Sequence, residues 1–165
     1  MSEGQEHQVH TQTMAGDPPS KSAGLDQATR EQWNANPFHR YLGITLEEQH
    51  DGYGRLLLRV GSETPRGVAG SVHGGVIATL IDLACLAAVA SVADHARERL
   101  AGTAELNVSY LRPAFGPLVV AEGRLLKKGR QLAVVDVDIS DGRGRLFAKG
   151  RCQYALRSQP TTLPH

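Results

Sequence analysis

The sequence is poor in cysteine and in aromatic residues, and neither sign of charge is in excess. Two of its 165 residues are cysteine, 5% are aromatic, and the formal net charge at pH 7 is +1. Cys85 and Cys152 make no disulfide framework and lack the spacing of metal ligands, so we expect both to be small core residues. A balanced charge without a basic run among aromatics argues against a nucleic-acid surface. We therefore expect a reduced, cytoplasmic protein that binds neither metal nor nucleic acid.

Long apolar runs are scarce, which argues against a membrane protein. The polar N-terminus is followed by no apolar segment of the kind found in signal peptides, so we expect no signal peptide. The longest apolar run, residues 76–93, approaches the length of a membrane span, but Thr79, Asp82 and Ser91 interrupt it. Because amphipathic strands surround this run, we predict a buried helix and no membrane contact.

The composition divides the chain into one domain and two tails. Residues 1–27 are rich in Gln, Ser, Thr, Gly, Pro and His and have almost no large apolar side chains. Such a segment cannot offset the entropy lost on ordering. We expect a disordered tail at 1–27, a single domain at 28–157 and a loose tail at 158–165.

Alternating polar and apolar residues predict several strands, and the apolar run predicts one long helix. Short turns at 127–130 and 141–144 indicate antiparallel neighbours among the later strands. The sequence thus predicts an α+β fold, with an antiparallel sheet against one long central helix. The sheet leaves edges and apolar area uncovered, which favours a dimer. The first predicted helix lies within 25–39 and is stopped around Asn36-Pro37. The second predicted helix is 75–96, a turn is predicted at 101–102, and the predicted strands are 42–47, 53–60, 103–110, 118–126, 131–139 and 145–154.

Asp82 is the only charged residue in the apolar helix. Burying an ionised carboxylate costs several kcal/mol unless it is paired or hydrogen-bonded, or unless its pKa rises. Two interpretations remain open. Asp82 is either a structural residue bonded to the backbone or to a neighbouring threonine, or a functional group retained in spite of that cost.

The helix is preceded by a glycine pair. Gly74 and Gly75 leave backbone N–H groups unobstructed at the end of the helix that has free donors and the positive end of the dipole. Such an end can hold a phosphate or the oxyanion of an attacked carbonyl. The alternative is that the two glycines only form a tight turn.

The spacing of these two features predicts a second subunit. Gly74 and Asp82 are eight positions apart, which is roughly 12 Å along a helix. A reacting carbon must lie about 3 Å from both the oxyanion donor and the attacking group. If both residues are catalytic, Gly74 of one subunit must work with Asp82 of another, across a two-fold interface with antiparallel helices.

The combination of motifs resembles a known family. His73-Gly74-Gly75, with Asp82 nine residues after the histidine and a strand that ends in Tyr110-Leu111-Arg112-Pro113, resembles the hotdog-fold acyl-CoA thioesterases of the phenylacetate-degradation type over residues 36–156. The resemblance implies a hotdog fold and hydrolysis of an aryl, short-chain or medium-chain acyl-CoA at a site shared by two subunits. It implies a homodimer or a dimer of dimers, and no cofactor other than the coenzyme A of the substrate.

The resemblance also implies a role for each residue of the motif. The Gly74 N–H would polarise the thioester carbonyl, and Asp82 would act as general base on water or as nucleophile. Thr103 occupies the place of a Ser or Thr that orients the water or the carboxylate, although a solvent-facing strand threonine is an equal alternative. His73 is expected to shape the loop rather than to transfer protons, and Gly75 is expected to lie against the substrate.

One position departs from the family pattern. Relatives usually carry Asn or Gln six residues before the histidine, where this chain has Gly67, whereas Gly70 matches the pattern. We expect both glycines to line the substrate site. The missing amide removes a hydrogen bond worth about 1 to 3 kcal/mol if its partner stays buried and unpaired. The sequence offers Arg66 or Thr64 as substitutes for it.

Coenzyme A carries phosphates, so its binding surface should present cations. Four basic residues at strand ends and turns are candidates, although a turn rich in Lys and Arg is usually only a solvated surface. They are Arg112, Lys127, Lys128 and Arg130.

Two other functions fit the same fold. A non-catalytic acyl-CoA binder is suggested by Gly67. An enoyl-CoA hydratase would need a histidine a few residues after Asp82, and the nearest candidate is His95, beyond the apolar part of the helix.

Overall fold

The computed structural model describes residues 25–159, so the predicted tails at 1–27 and 158–165 lie almost entirely outside the described residues. Two short helices precede a pair of strands, then the long helix, then four further strands. The elements are α1 (Gln27–Ala35), α2 (Pro37–Leu42), β1 (Ile44–His50), β2 (Tyr53–Arg59), a 3-10 turn (Val68–Gly70), α3 (Gly74–Ala90), β3 (Glu98–Tyr110), β4 (Leu118–Lys128), β5 (Leu132–Ser140) and β6 (Leu146–Ser158). This order confirms the predicted α+β arrangement.

The six strands form one antiparallel sheet in the order β1-β2-β4-β5-β6-β3. The connections β4–β5 and β5–β6 are the hairpins that the short turns predicted. The strands β1 and β3 are the two edges, and β3 pairs with β6 on one side only. The edge at β3 is 13 residues long and has no strand beside it in the described part of the chain.

A row of glycines beneath α3 sets the distance between helix and sheet. Gly54, Gly123 and Gly150 lie in one row across the sheet, with Val137 between the last two. A Cβ atom added at Gly54 would lie 2.6 Å from the Cβ of Ala87, and one at Gly150 would lie 2.4 Å from the side chain of Ile81. Helix α3 therefore rests directly on the backbone of three strands.

The core lies between α3 and the sheet. Ten of the 17 residues of α3 are buried, as predicted for a helix that is apolar on most sides. Cys85 and Cys152 are both buried here, which confirms them as core residues. A hydrogen bond between the two thiols, together with burial, raises the pKa of the Cys85 thiol, so it stays neutral.

The face of the sheet away from α3 is polar and is held by cross-strand ion pairs. Arg151 donates two hydrogen bonds to Asp136, at 2.6 and 2.9 Å, and Lys149 lies 2.6 Å from Asp138. The bond from Arg151 lowers the pKa of the Asp136 carboxyl. These pairs satisfy the charges on this face, so the apolar packing is confined to the other.

The predicted stop of the first helix around Asn36-Pro37 is confirmed, because α1 ends at Ala35 and the Asn36 side chain accepts a hydrogen bond from the Phe38 N–H and begins a second helix at Pro37. Two predictions further along the chain were wrong. Helix α3 ends at Ala90 instead of 96, where the Ser91 hydroxyl donates to the carbonyl of Ala88 and accepts from the backbone of the β1–β2 turn.

The predicted turn at 101–102 lies inside β3. Strand β6 pairs with β3 on both sides of this position. The pairing register shifts between Leu100 and Gly102, which leaves residue 101 without a paired residue in β6. Gly102 has a φ of 114°, which only glycine adopts easily.

We expect Gly123→Ala to destabilise the protein, because the new Cβ would lie 2.5 Å from the carbonyl oxygen of Ala84. Such overpacking costs about 1 to 3 kcal/mol or more. Urea unfolding monitored by circular dichroism would measure the change. The matched control is Gly61→Ala, where nothing lies within 4 Å of the added carbon and a change within about 0.5 kcal/mol is expected. Equal stability of the two variants would contradict close packing of α3 on the glycine row.

Candidate active site

The first turn of α3 leaves one backbone donor free. His73 is the N-cap, and its Nδ1 accepts a hydrogen bond of 2.9 Å from the Gly75 N–H. The Val76 N–H donates to the His73 carbonyl at 2.9 Å. Among residues 25–159, none accepts a hydrogen bond from the Gly74 N–H. The donor with the predicted oxyanion role is thus available at the positive end of the helix dipole.

The same contacts explain why His73 and Gly75 occur together. A Cβ at Gly75 would lie 3.1 Å from Nδ1 of His73, so the imidazole would have to shift by a few tenths of an ångström from the position in which it accepts the Gly75 N–H. Because Nδ1 accepts an N–H, a neutral His73 carries its proton on Nε2. In this structure His73 caps the turn through this hydrogen bond, and its supporting role in catalysis stays a prediction.

The loop that leads into α3 is held by its own backbone. The His73 N–H donates to the carbonyl of Pro65 at 3.0 Å, and the Val72 N–H donates to that of Ala114 at 2.9 Å. Ala69 has a φ of 53° and Gly70 a φ of 79°, so two successive residues of the loop have a left-handed backbone conformation. The N-terminus of α3 is thereby attached to the segment that follows β3.

Neither expected substitute for the missing amide is free to take that role. The Arg66 guanidinium donates to the carbonyls of Gly61 and Gly70, at 2.9 and 3.4 Å. The Thr64 hydroxyl is buried and accepts from the Gly61 N–H. A Cβ at Gly67 would lie 3.2 Å from the Cα of His73, so position 67 does face the glycine turn, but without a side chain.

A cavity of about 370 Å³ opens beside the free donor. Gly74 and Arg112 both line it, so the structure brings together two of the predicted site residues. Its other walls are largely apolar and include Val72, Ile77, Ala114 and Phe147. The Arg112 guanidinium forms no hydrogen bond or ion pair with any described residue, so its charge is available to a ligand.

Asp82 lies on a different part of α3 and does not line this cavity. It is half-buried, on a stripe of partly exposed residues that also includes Thr79 and Leu86. Its Oδ1 accepts a hydrogen bond from the Thr103 hydroxyl of β3. Its Oδ2 accepts none from any residue in the described range. The carboxylate therefore keeps one oxygen free, and Thr103 lies beside it, while a catalytic role for Thr103 stays a prediction.

Strand β3 contacts both Gly74 and Asp82. Tyr110, at its end, donates its hydroxyl proton to the Gly74 carbonyl at 2.9 Å, whereas Thr103 lies seven residues earlier beside Asp82. The strand thus runs antiparallel to α3, and within one chain the donor and the carboxylate remain apart. The bond from Tyr110 was not anticipated from sequence, because it depends on how the strand is aligned with the helix.

The remaining basic candidates lie elsewhere. Lys128 donates to both carboxylate oxygens of Glu98 at 2.7 Å, which lowers the pKa of that carboxyl and occupies the lysine. Lys127 and Arg130 are exposed at the β4–β5 connection and have no partner among the described residues. The Gly52 N–H donates to the Ser91 hydroxyl just beyond α3, and the Leu125 N–H donates to the Gly52 carbonyl, so this end of β4 lies toward the C-terminal end of α3 and away from Gly74. Their role as phosphate ligands stays a prediction.

Other chemistries find less support. His95 lies in the turn after α3, beyond the helix face that carries Asp82. Between residues 25 and 159, no group of three or more His, Cys, Asp or Glu side chains is arranged to hold a metal ion. None of the helices in that same range is long and apolar enough to cross a membrane.

Comparison with known sequences gives consistent matches. The family model described as "Thioesterase superfamily" matches residues 69–148 of this chain. The medium/long-chain acyl-CoA thioesterase YigI of Escherichia coli is 33% identical over 132 residues, which cover 73% of this chain and 85% of that relative. Acyl-coenzyme A thioesterase 13 of Homo sapiens is 31% identical over 137 residues, which cover 80% of this chain and 94% of that relative.

Solved structures share the fold. The conserved protein PA5202 of Pseudomonas aeruginosa superposes with a TM-score of 0.69 and 26% identity, covering 78% of this chain and 98% of that chain. The PaaI protein of the phenylacetic acid degradation operon of E. coli superposes with a TM-score of 0.65 and 23% identity, covering 76% and 87%. At that identity the second likeness concerns the fold alone.

Proposed function

The chain belongs to the hotdog thioesterase superfamily and is a thioester hydrolase, and from this premise we propose that it hydrolyses an acyl-CoA at a site completed by two subunits. The family membership confirms the resemblance to the hotdog thioesterases. The observation that carries the proposal is the free Gly74 N–H beside an apolar cavity that also holds an unpaired arginine.

Gly74 supplies the oxyanion donor in this proposal. As the thioester carbonyl is attacked, negative charge builds up on its oxygen, and a fixed N–H at a helix N-terminus stabilises that charge without reorganisation. The Gly74 N–H has no competing acceptor among the described residues. His73 and Gly75 contribute by fixing the turn.

Asp82 activates the attacking group. As a general base, its free Oδ2 takes a proton from water while the water oxygen bonds to the carbonyl carbon, and collapse of the intermediate expels the coenzyme A thiolate, which is then protonated. As a nucleophile, the carboxylate bonds to that carbon, the thiolate leaves, and water cleaves the mixed anhydride. Both routes yield a carboxylic acid and free coenzyme A. The bond from Thr103 orients the carboxylate in either case.

The donor and the base come together through strand β3. Its free edge is 13 residues long, and Leu106, in the second half of the strand, is 38% exposed although it is large and apolar. Antiparallel pairing of this edge with a second copy about residues 106–107 sets the Tyr110 end of one strand beside the Thr103 region of the other. Gly74 then faces Asp82 of the partner subunit. A further pairing into a dimer of dimers stays a prediction, as does the cytoplasmic location.

The substrate follows from the cavity. Apolar walls suit an acyl group or the pantetheine arm, and the unpaired Arg112 suits a phosphate of coenzyme A. Gly67 and Gly70 border the same loop and leave the approach to the turn open. Aryl, short-chain and medium-chain acyl groups are all candidates, and the name of the E. coli relative adds long chains to the panel.

A second candidate is an acyl-CoA binder that hydrolyses weakly or not at all. It is favoured by one observation: position 67 has no side chain, and Arg66 and Thr64 are both committed to the loop backbone. Thiol release from a panel of acyl-CoA substrates separates the two functions. Saturable binding with no thiol released at any chain length would support the binder.

Asp82→Asn is expected to reduce turnover by at least about a hundredfold, because the amide keeps the size of the side chain but cannot take a proton or attack a carbonyl. Thiol release under saturating acyl-CoA measures turnover, and a binding titration with a non-hydrolysable thioether analogue checks that the site is intact. Thiol release at the wild-type rate would remove Asp82 from the mechanism.

Asn107→Cys is expected to form a covalent dimer with a short bifunctional maleimide, because residue 107 lies beside the proposed two-fold axis. The matched control is Glu48→Cys, an exposed residue on the opposite edge strand, which should stay uncoupled. Denaturing gel electrophoresis separates the products, and the buried native cysteines should not react. Cross-linking through residue 48 but not 107 would place the interface at β1 and contradict the shared site.

A further inference from the structure

Two side chains fix the peptide that joins Gly74 to Gly75. Its carbonyl accepts a hydrogen bond of 2.9 Å from the Tyr110 hydroxyl, and its N–H donates to Nδ1 of His73 at 2.9 Å. The preceding peptide is fixed by its carbonyl, which accepts from the backbone N–H groups of Val76 and Ile77. Both peptides that flank the Cα of Gly74 are therefore held, and only the Gly74 N–H is left unbonded within the described range.

This turn needs such restraints more than most helix starts do. Two successive glycines have the greatest backbone freedom of any dipeptide and lose the most entropy when they are ordered. In a regular helix the carbonyl of residue 74 already accepts the N–H of residue 78, so the tyrosine bond is an additional one. It comes from β3 and so ties the helix start to the sheet edge. A donor aimed at an oxyanion loses much of its effect when it is displaced by about 1 Å.

We propose that Tyr110 is a positioning residue for thioester hydrolysis, whose hydroxyl holds the Gly74 N–H in the direction of the developing oxyanion. The inference rests on the proposed function, since it assigns to Tyr110 the alignment of the donor that hydrolysis uses. Tyr110 acts through Gly74 and forms no bond to the reacting atoms.

The exposure of Tyr110 distinguishes this role from a structural one. In the single chain the side chain is 58% exposed, so its hydrogen bond contributes little to the free energy of unfolding of one subunit. Its ring lies 3.4 to 3.5 Å from where a Cβ of residue 74 would be, which is ordinary contact and leaves the ring free to stay in place without its hydroxyl. Removing the hydroxyl should therefore change the direction of the Gly74 N–H, while the stability of the protein and the wall of the cavity stay almost unchanged.

The kinetic test is Tyr110→Phe, with Tyr41→Phe as the matched control. Tyr41 is 69% exposed and its hydroxyl bonds to no described residue. We expect Tyr110→Phe to lower kcat about tenfold with KM within about twofold, because the lost alignment matters in the transition state alone. The control should match the wild type, and the Tm of both variants should stay within a few degrees of it. A kcat equal to that of the control, or a steep fall in Tm, would overturn the positioning role.

A spectroscopic test separates this inference from the proposed function. The probe is an acyl-CoA analogue in which a methylene group replaces the thioester sulfur, so that a ¹³C-labelled ketone occupies the carbonyl site. In the wild type its infrared carbonyl stretch should shift to lower frequency on binding, and Tyr110→Phe should return it toward the value in water. Equal shifts in wild type and variant would refute the role of Tyr110 but not that of Gly74 as the donor. The absence of a shift in the wild type would refute Gly74 as the donor, and the inference with it.

Discussion

The close contact between α3 and the sheet is the constraint on which the rest of the structure depends. Gly54, Gly123 and Gly150 let the helix rest on the strand backbones, and at none of them is there room for a Cβ. Because the helix cannot lift or slide on this row, its first turn stays at the end of β3 and its middle stays beside Thr103. The positions of the Gly74 N–H and of the Asp82 carboxylate thus follow from packing beneath the helix, on residues that take no part in the chemistry.

If Gly74 and Asp82 both act on one substrate, the same rigidity makes one subunit insufficient. A straight helix separates residues 74 and 82 by roughly 12 Å, and no adjustment of side chains closes that gap. The long unpaired edge of β3 could supply the second subunit. A two-fold pairing about residues 106–107 would bring Gly74 of one subunit to Asp82 of the other. One strand would then serve three purposes: it forms the interface, orients Asp82 through Thr103 and restrains Gly74 through Tyr110.

Local patterns were sufficient to predict the architecture but not the alignment of its parts. Alternation and short turns gave the strands and hairpins, and the apolar run gave α3. The end of α3 at Ala90 and the continuation of β3 through Gly102 depend on partners distant in the chain, namely the β1–β2 turn and β6. For the same reason, the bond from Tyr110 to Gly74, the ion pair of Lys128 and the commitment of Arg66 to the loop could not be predicted from neighbouring residues.

The most direct test of the shared site is subunit complementation. Gly74→Pro removes the donor N–H, and proline is tolerated at the first position of a helix. Asp82→Asn removes the base, so each variant alone should be nearly inactive. When the two are unfolded together and refolded as a mixture, half of the dimers should be mixed, each with one intact site, and thiol release should recover to about a quarter of the wild-type rate. No recovery, in a mixture shown to contain mixed dimers, would contradict a site built from Gly74 of one subunit and Asp82 of the other.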